Sequence, residues 1–89
     1  MHSVVFNAFF GKLSNDGRFV CLERVRLANG EMFRHHTWVR FDQSRMRNLL
    51  RGDHFAFSAE LGRYMGLDED DKPITKIKLE KVRSIRRLK

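Results

Sequence analysis

The sequence predicts an all-β fold, a small five-stranded barrel with one short helix between the third and fourth strands. Three observations predict it. Apolar and polar residues alternate through most of the chain, the period of strands that are buried on one face. Asp-Gly at 16–17 and Asn-Gly at 29–30 separate such runs, and both pairs tolerate the positive φ angles of tight hairpin turns. Only residues 42–52 break period two in favour of helical spacing.

Each element follows in order. The first strand is SVVFNAFFGKLS (3–14), with Val4, Phe6, Ala8 and Phe10 on one side. After the NDG turn, RFVCLERVRLA (18–28) is the second, and Cys21 in its apolar run reads as a buried core thiol. Past the Asn-Gly turn, MFRHHTWVRFD (32–42) is the third, so the first three strands form a meander. DQSRMRNLLRG follows as a helix of about two turns, with Met46, Leu49 and Leu50 three and four apart. Asp42 or Ser44 caps its start and Gly52 ends it. DHFAFSAELGRYM (53–65) is the fourth strand, carrying Phe55, Phe57, Ala59 and Leu61 on one face, and ITKIKLEKVRSIRRL (74–88) is the fifth. Two pentapeptides, LERVR (22–26) and LEKVR (79–83), place a leucine and a valine three apart. Period two fails there, as at a β-bulge, where one extra residue bends the strand and restores the apolar face.

Composition bounds the class. With 89 residues, 42% hydrophobic and 33% charged, the chain is read as one globular domain, 1–89. One cysteine cannot form an internal disulfide, which fits a reducing setting, and VVFNAFF (4–10) is too short to span a membrane. The expected location is therefore the cytoplasm, with no membrane partner. Formal net charge is +7, unevenly spread. Residues 74–89 carry seven Lys/Arg against one Glu, and residues 17–41 carry five Arg against two Glu. Residues 67–73 instead hold four carboxylates against one lysine. A basic body with one acidic loop points to a polyanionic partner.

The order strand-strand-strand-helix-strand-strand in about 90 residues is that of the OB-fold, a five-stranded barrel that binds oligonucleotides on its second and third strands. The residues HTWVRF, LLRGDHFAFSAELGRYMG and IKLEKVRSIRRL resemble those of small OB-fold-like proteins of phages and prokaryotes. In that family a His-x-Trp strand precedes a strand of the form Gly-Asp-x-φ-x-Phe-x-Ala, φ being apolar, that ends near a tyrosine. The resemblance covers residues 36–88 and implies the architecture and, through the fold, nucleic-acid handling. Where the family tends to have Lys-Gly after the tyrosine, this chain has Met65-Gly66 after Tyr64.

The third strand carries the functional expectation. At period two it sets Arg34, His36, Trp38 and Arg40 on the face opposite Phe33, Thr37, Val39 and Phe41. Alternating cations with an indole between them offer phosphate contacts and a stacking surface. Arg24 and Arg26 extend the row along the second strand, and Arg63 and Tyr64 add to it at the end of the fourth. The expected activity is non-catalytic binding of single-stranded nucleic acid, DNA or RNA. The competing orientation buries Trp38 in the core. The competing function is a protein-interaction adaptor, engaging a host or replication protein, with the acidic residues 68–71 as its contact.

Other chemistries are disfavoured. His35 and His36 are adjacent and point to opposite faces of a strand, and no His/Cys pair sits at a zinc-finger interval, so no metal or other cofactor is expected. Asp42, Asp53 and Glu60 read as cap, turn and outward strand residue, and Asp68, Glu69, Asp70 and Asp71 lie in one loop without rigid support. No catalytic carboxylate pair results, and an enzyme is not expected. The lysines and arginines of 76–89 read either as more phosphate track or tail, or as the charged outer face of an edge strand.

Overall fold

A computed structural model of the chain describes residues 3–88. Five strands and one small helix follow in the order β1 (Ser3–Leu13), β2 (Phe19–Leu27), β3 (Met32–Arg40), α1 (Gln43–Met46), β4 (His54–Leu67) and β5 (Pro73–Arg87). The strands make one antiparallel sheet in the order β3-β2-β1-β4-β5. Its two edges, β3 and β5, approach each other without a hydrogen-bonded ladder, so the sheet is strongly curved but not closed. Among the described residues no helix is long and apolar enough to cross a membrane. Lys89, counted above with the basic C-terminal residues, lies outside the described residues.

The core lines the concave face. Phe6, Ala8 and Phe10 of β1 face Phe55, Phe57 and Ala59 of β4, and Val20, Leu22 and Val25 of β2 flank them. Phenylalanines dominate it: Phe6 stacks on Phe57 at 5.5 Å between centroids and meets Phe33 edge-on at 5.1 Å. Phe55 touches both Phe57 (5.3 Å) and Phe10 (6.2 Å). Such pairs add about 0.5–1.5 kcal/mol beyond their burial.

The anticipated bulges are present and share one device. Arg24 and Lys81, the central residues of LERVR and LEKVR, both adopt the left-handed conformation, at φ 50° and 53°. At Arg24 the β1–β2 pairing skips from Phe9↔Glu23 to Asn7↔Arg26. β5 skips twice against β4, from Glu60↔Glu80 to Ser58↔Arg83 and then to Ala56↔Arg86. The second skip contains Ser84 at φ 56°, a bulge that period two did not reveal. Gly11 sits where a Cβ would lie 2.3 Å from the Cys21 carbonyl oxygen, so only glycine allows β1 and β2 to approach there.

Three details differ from expectation. The helix is four residues, not two turns, because turns take over after it, the Leu49 amide donating to the Met46 carbonyl and the Asp53 amide to the Leu50 carbonyl. Met46 and Leu49 still cover the core, whereas Leu50 is exposed. Cys21 is not a core residue: it alternates with the buried Val20 and Leu22 and sits half-buried on the outer face. Glu60 points away from the core, yet its side chain is only 12% exposed because Lys81 and Arg83 close over it, each at 3.6 Å.

Asp42 caps the helix, accepting from the Ser44 amide (3.0 Å) and hydroxyl (2.6 Å), and the hydroxyl bond above all holds its carboxyl below the usual range. This capping is present above the ordinary carboxylate pKa and is lost as pH falls through the lowered one. Arg87 ties the end of β5 down, donating to the Asn48 carbonyl and pairing with Asp53 at 3.1 Å.

Two substitutions test this frame by denaturant unfolding. Phe57→Ala is expected to cost about 3–5 kcal/mol, and a loss below about 1 kcal/mol would contradict the burial of β4. Ser84→Gly should fold at least as stably as the natural chain, whereas Ser84→Val should lose more than about 1 kcal/mol, since β-branched residues resist positive φ.

Candidate nucleic-acid interface

Outer-face rows of β2 and β3 are fixed by the register Phe19↔Arg40, Cys21↔Trp38 and Glu23↔His36. Trp38 points outward and is 47% exposed; Phe19, diagonal to it, is 42% exposed. Arg40 is exposed and makes no ion pair among the described residues. Two open aromatic faces and a free guanidinium therefore share one end of the β2–β3 ribbon. His36 stands further along the row, beside the Glu23 carboxylate that partly offsets the positive charge.

Arg34 does not join that row. The β2–β3 register runs unbroken past Arg24, from Glu23↔His36 to Val25↔Arg34, and sets Arg34 opposite the buried Val25 rather than beside the outward cations. Half-buried, it donates to the Ile77 carbonyl of β5 across the gap between the sheet edges. Period two gives the face of a residue on its own strand, and here a long side chain finds its partner on another strand that curls round beside it.

The remaining expected residues spread out. Arg24 folds back over β1, its guanidinium 4.0 Å from the centre of the Phe9 ring, and Phe9 stacks on His54 at 4.4 Å. His54 in turn meets Asn7 Oδ1 through Nε2 at 3.0 Å. Arg26 lies near the β2–β3 turn and donates to the Gly30 carbonyl at 3.1 Å. Arg63 and Tyr64 are on the distal half of the β4–β5 hairpin, on opposite faces of it, with the Lys78 ammonium 5.7 Å over the tyrosine ring. They are not part of the Trp38 surface.

A groove of about 750 Å³ opens where β3 and β5 diverge. Trp38, Arg40 and Phe41 form one wall, Leu79, Lys81 and Arg83 the other, and Arg45 and Met46 of α1 cover one end. Its floor is apolar. Its rim holds Arg40, Arg45, Lys78, Lys81 and Arg83 against Asp42 and Glu80. Each of these two carboxylates is paired, Asp42 with Arg45 at 3.2 Å and Glu80 with Lys78 at 3.3 Å. Phe19, Trp38 and Ser14 enclose a smaller apolar recess beside it, of about 300 Å³.

Sequence reasoning missed Phe19 and Arg45 as members of this surface and left Lys81 and Arg83 open between a phosphate track or tail and an edge-strand face. Phe19 was recoverable, since it alternates with the buried Val20 exactly as Cys21 does on the other side. The others become neighbours of Trp38 only once β5 curls towards β3. Among the described residues no group of three His, Cys, Asp or Glu is arranged to hold a metal ion. Comparison with family models, curated proteins and solved structures returns no match to this chain.

Burial, and next the Glu23 carboxylate, pushes the Cys21 thiol above its ordinary pKa, so it is protonated at neutral pH. Its labelling by a disulfide reagent should be slow at pH 7 and keep accelerating above the ordinary thiol range of about pH 8.5. A labelling rate already at its plateau at pH 8 would contradict this environment. Trp38→Ala should lower stability by less than about 1 kcal/mol, against the 3–5 kcal/mol typical of a buried tryptophan.

Proposed function

We propose that this protein binds single-stranded nucleic acid, without catalysing a reaction on it, along the outer β2–β3 face and into the groove between β3 and β5. One observation carries the reading: an exposed Trp38, flanked by Phe19 and the unpaired Arg40, at the mouth of an apolar groove with a cationic rim. Bases stack on such faces irrespective of sequence, each worth about 1–3 kcal/mol, while cations follow the phosphates.

The strand order supports an OB-like reading of the fold. An OB barrel cut along its β3–β5 seam has the order β3-β2-β1-β4-β5, and the Arg34–Ile77 contact bridges that seam. The adaptor reading draws on a different surface, the apolar and acidic end of the β4–β5 hairpin, and does not explain an open tryptophan among arginines.

The test is a titration of labelled single-stranded oligonucleotides at two salt concentrations, following tryptophan emission. Emission should quench on binding, and Trp38→Ala should weaken binding by about 1–3 kcal/mol. Arg40→Ala should lower the slope of log affinity against log salt by about 0.7, the share of one phosphate contact on a single strand. Affinity insensitive to salt, to Trp38 and to Arg40 would refute the proposal and favour a protein partner.

A further inference from the structure

The β4–β5 hairpin outgrows the sheet. Among the described residues β1 pairs with β4 as far as Ser3↔Glu60, whereas β4 runs on to Leu67 and β5 begins at Pro73. Residues 61–67 and 73–79 therefore form a two-stranded arm about 20 Å long. Its register places Leu61, Arg63, Met65 and Leu67 on one face with Leu79, Ile77, Thr75 and Pro73. That face continues the row of Phe57 and Ala59, so it is the core face carried past the core. Only Leu79 at its root is buried; Met65 and Leu67 are 67% and 57% exposed.

The opposite face is built differently. Gly62 and Gly66 lie under the Glu80 and Lys76 side chains, which pack where a Cβ would stand. The arm thus covers one side with its own long side chains and leaves the other apolar and open. At its tip, Asp68 Oδ1 accepts from the amides of Asp70 (2.9 Å) and Lys72 (2.8 Å), so the acidic turn has a defined shape. Glu69 and Asp70 are exposed, and neither they nor Arg63 form an ion pair among the described residues.

We propose that this open face is a self-association surface whose occupant is the same face of a second copy. Two arms laid face to face and antiparallel, about a two-fold axis near Gly66, set Met65 of each against Leu67 of the other. The same axis sets Arg63 of each, two residues before Met65, against the acidic turn of the other, where Glu69 and Asp70 are exposed. The pattern cation–apolar–apolar–anion is complementary to itself when reversed, which is the condition a two-fold interface must meet. A patch this short buries less than the roughly 1,200 Å² of stable complexes, so the pair is weak and reversible. Its end contacts are ionic and weaken with salt.

Sedimentation equilibrium from about 10 μM to about 1 mM, the range of weak pairs, tests this without oligonucleotide. The mass should rise towards that of a dimer, more at low salt than at high. Arg63→Glu alone, and Glu69→Lys with Asp70→Lys alone, should each raise the dissociation constant at least tenfold. An equimolar mixture of the two should recover the dimer, because one ionic contact is then restored with reversed signs and the other is the native contact of Arg63 with the acidic turn. Asp68 is kept because it holds the turn, and far-UV circular dichroism checks that each variant folds. On a Cys21→Ser background, Met65→Cys mixed with Leu67→Cys should form a disulfide between copies under mild oxidation, and Ile74→Cys on the opposite face should not. A chain monomeric throughout, a mixture no heavier than its components, or equal cross-linking through Ile74→Cys would overturn the proposal.

Discussion

Curvature is the constraint on which this molecule rests. Its helix is four residues long and covers little beyond Met46 and Leu49. No second layer exists to bury the phenylalanines of β1 and β4, so the sheet has to wrap over its own concave face. Strand twist alone bends a sheet gradually. Here the bend is concentrated at single residues, Arg24 in β2 and Lys81 and Ser84 in β5, each in the left-handed conformation that side chains other than glycine and asparagine adopt reluctantly. The burial of seven large side chains to below 2% exposure outweighs those local costs.

The same bends position the surface chemistry. Arg24, at its bulge, folds over Phe9, and Arg34 reaches across the seam to β5, which removes two cations from the row that holds Trp38. The bulges in β5 bring Lys81 and Arg83 round to the groove opposite Arg40. A strand bent for the sake of its core decides which charges become neighbours outside.

Much of this was legible in the residues. The alternation of Phe55, Phe57 and Ala59, the Asp-Gly and Asn-Gly turns, and the Leu-x-x-Val interruptions mark strands, hairpins and bulges through strictly local physics. So does the outward Trp38, placed by alternation with the inward Thr37 and Val39. The errors come from treating alternation as sufficient where something else intervenes. Cys21 was assigned by the apolar character of its neighbours, although its position between Val20 and Leu22 already turns it outward. Arg34 follows the period of its own strand in the sequence, whereas its partner, the Ile77 carbonyl, lies on β5. Leu61, Met65 and Leu67 keep the core period but have no core to enter, since among the described residues β1 pairs with β4 no further than Glu60. Pairing partners, unlike periods, are not written within a strand.

The Arg34–Ile77 contact has a dynamic consequence. Every other strand boundary is a backbone ladder, whereas β3 and β5 are linked by a side chain. Parting those two strands breaks none of the β3-β2-β1-β4-β5 ladders; it releases one guanidinium and opens the packing of Leu79 against the shared core. Local opening by that route requires far less free energy than global unfolding. Amide protons on the free edges of β3 and β5 then exchange with solvent early, and those of β1, laddered on both sides, exchange last. The groove thus lies along the one strand boundary that has no ladder, and widening there is what would bring solvent to the buried Val39 and Leu79.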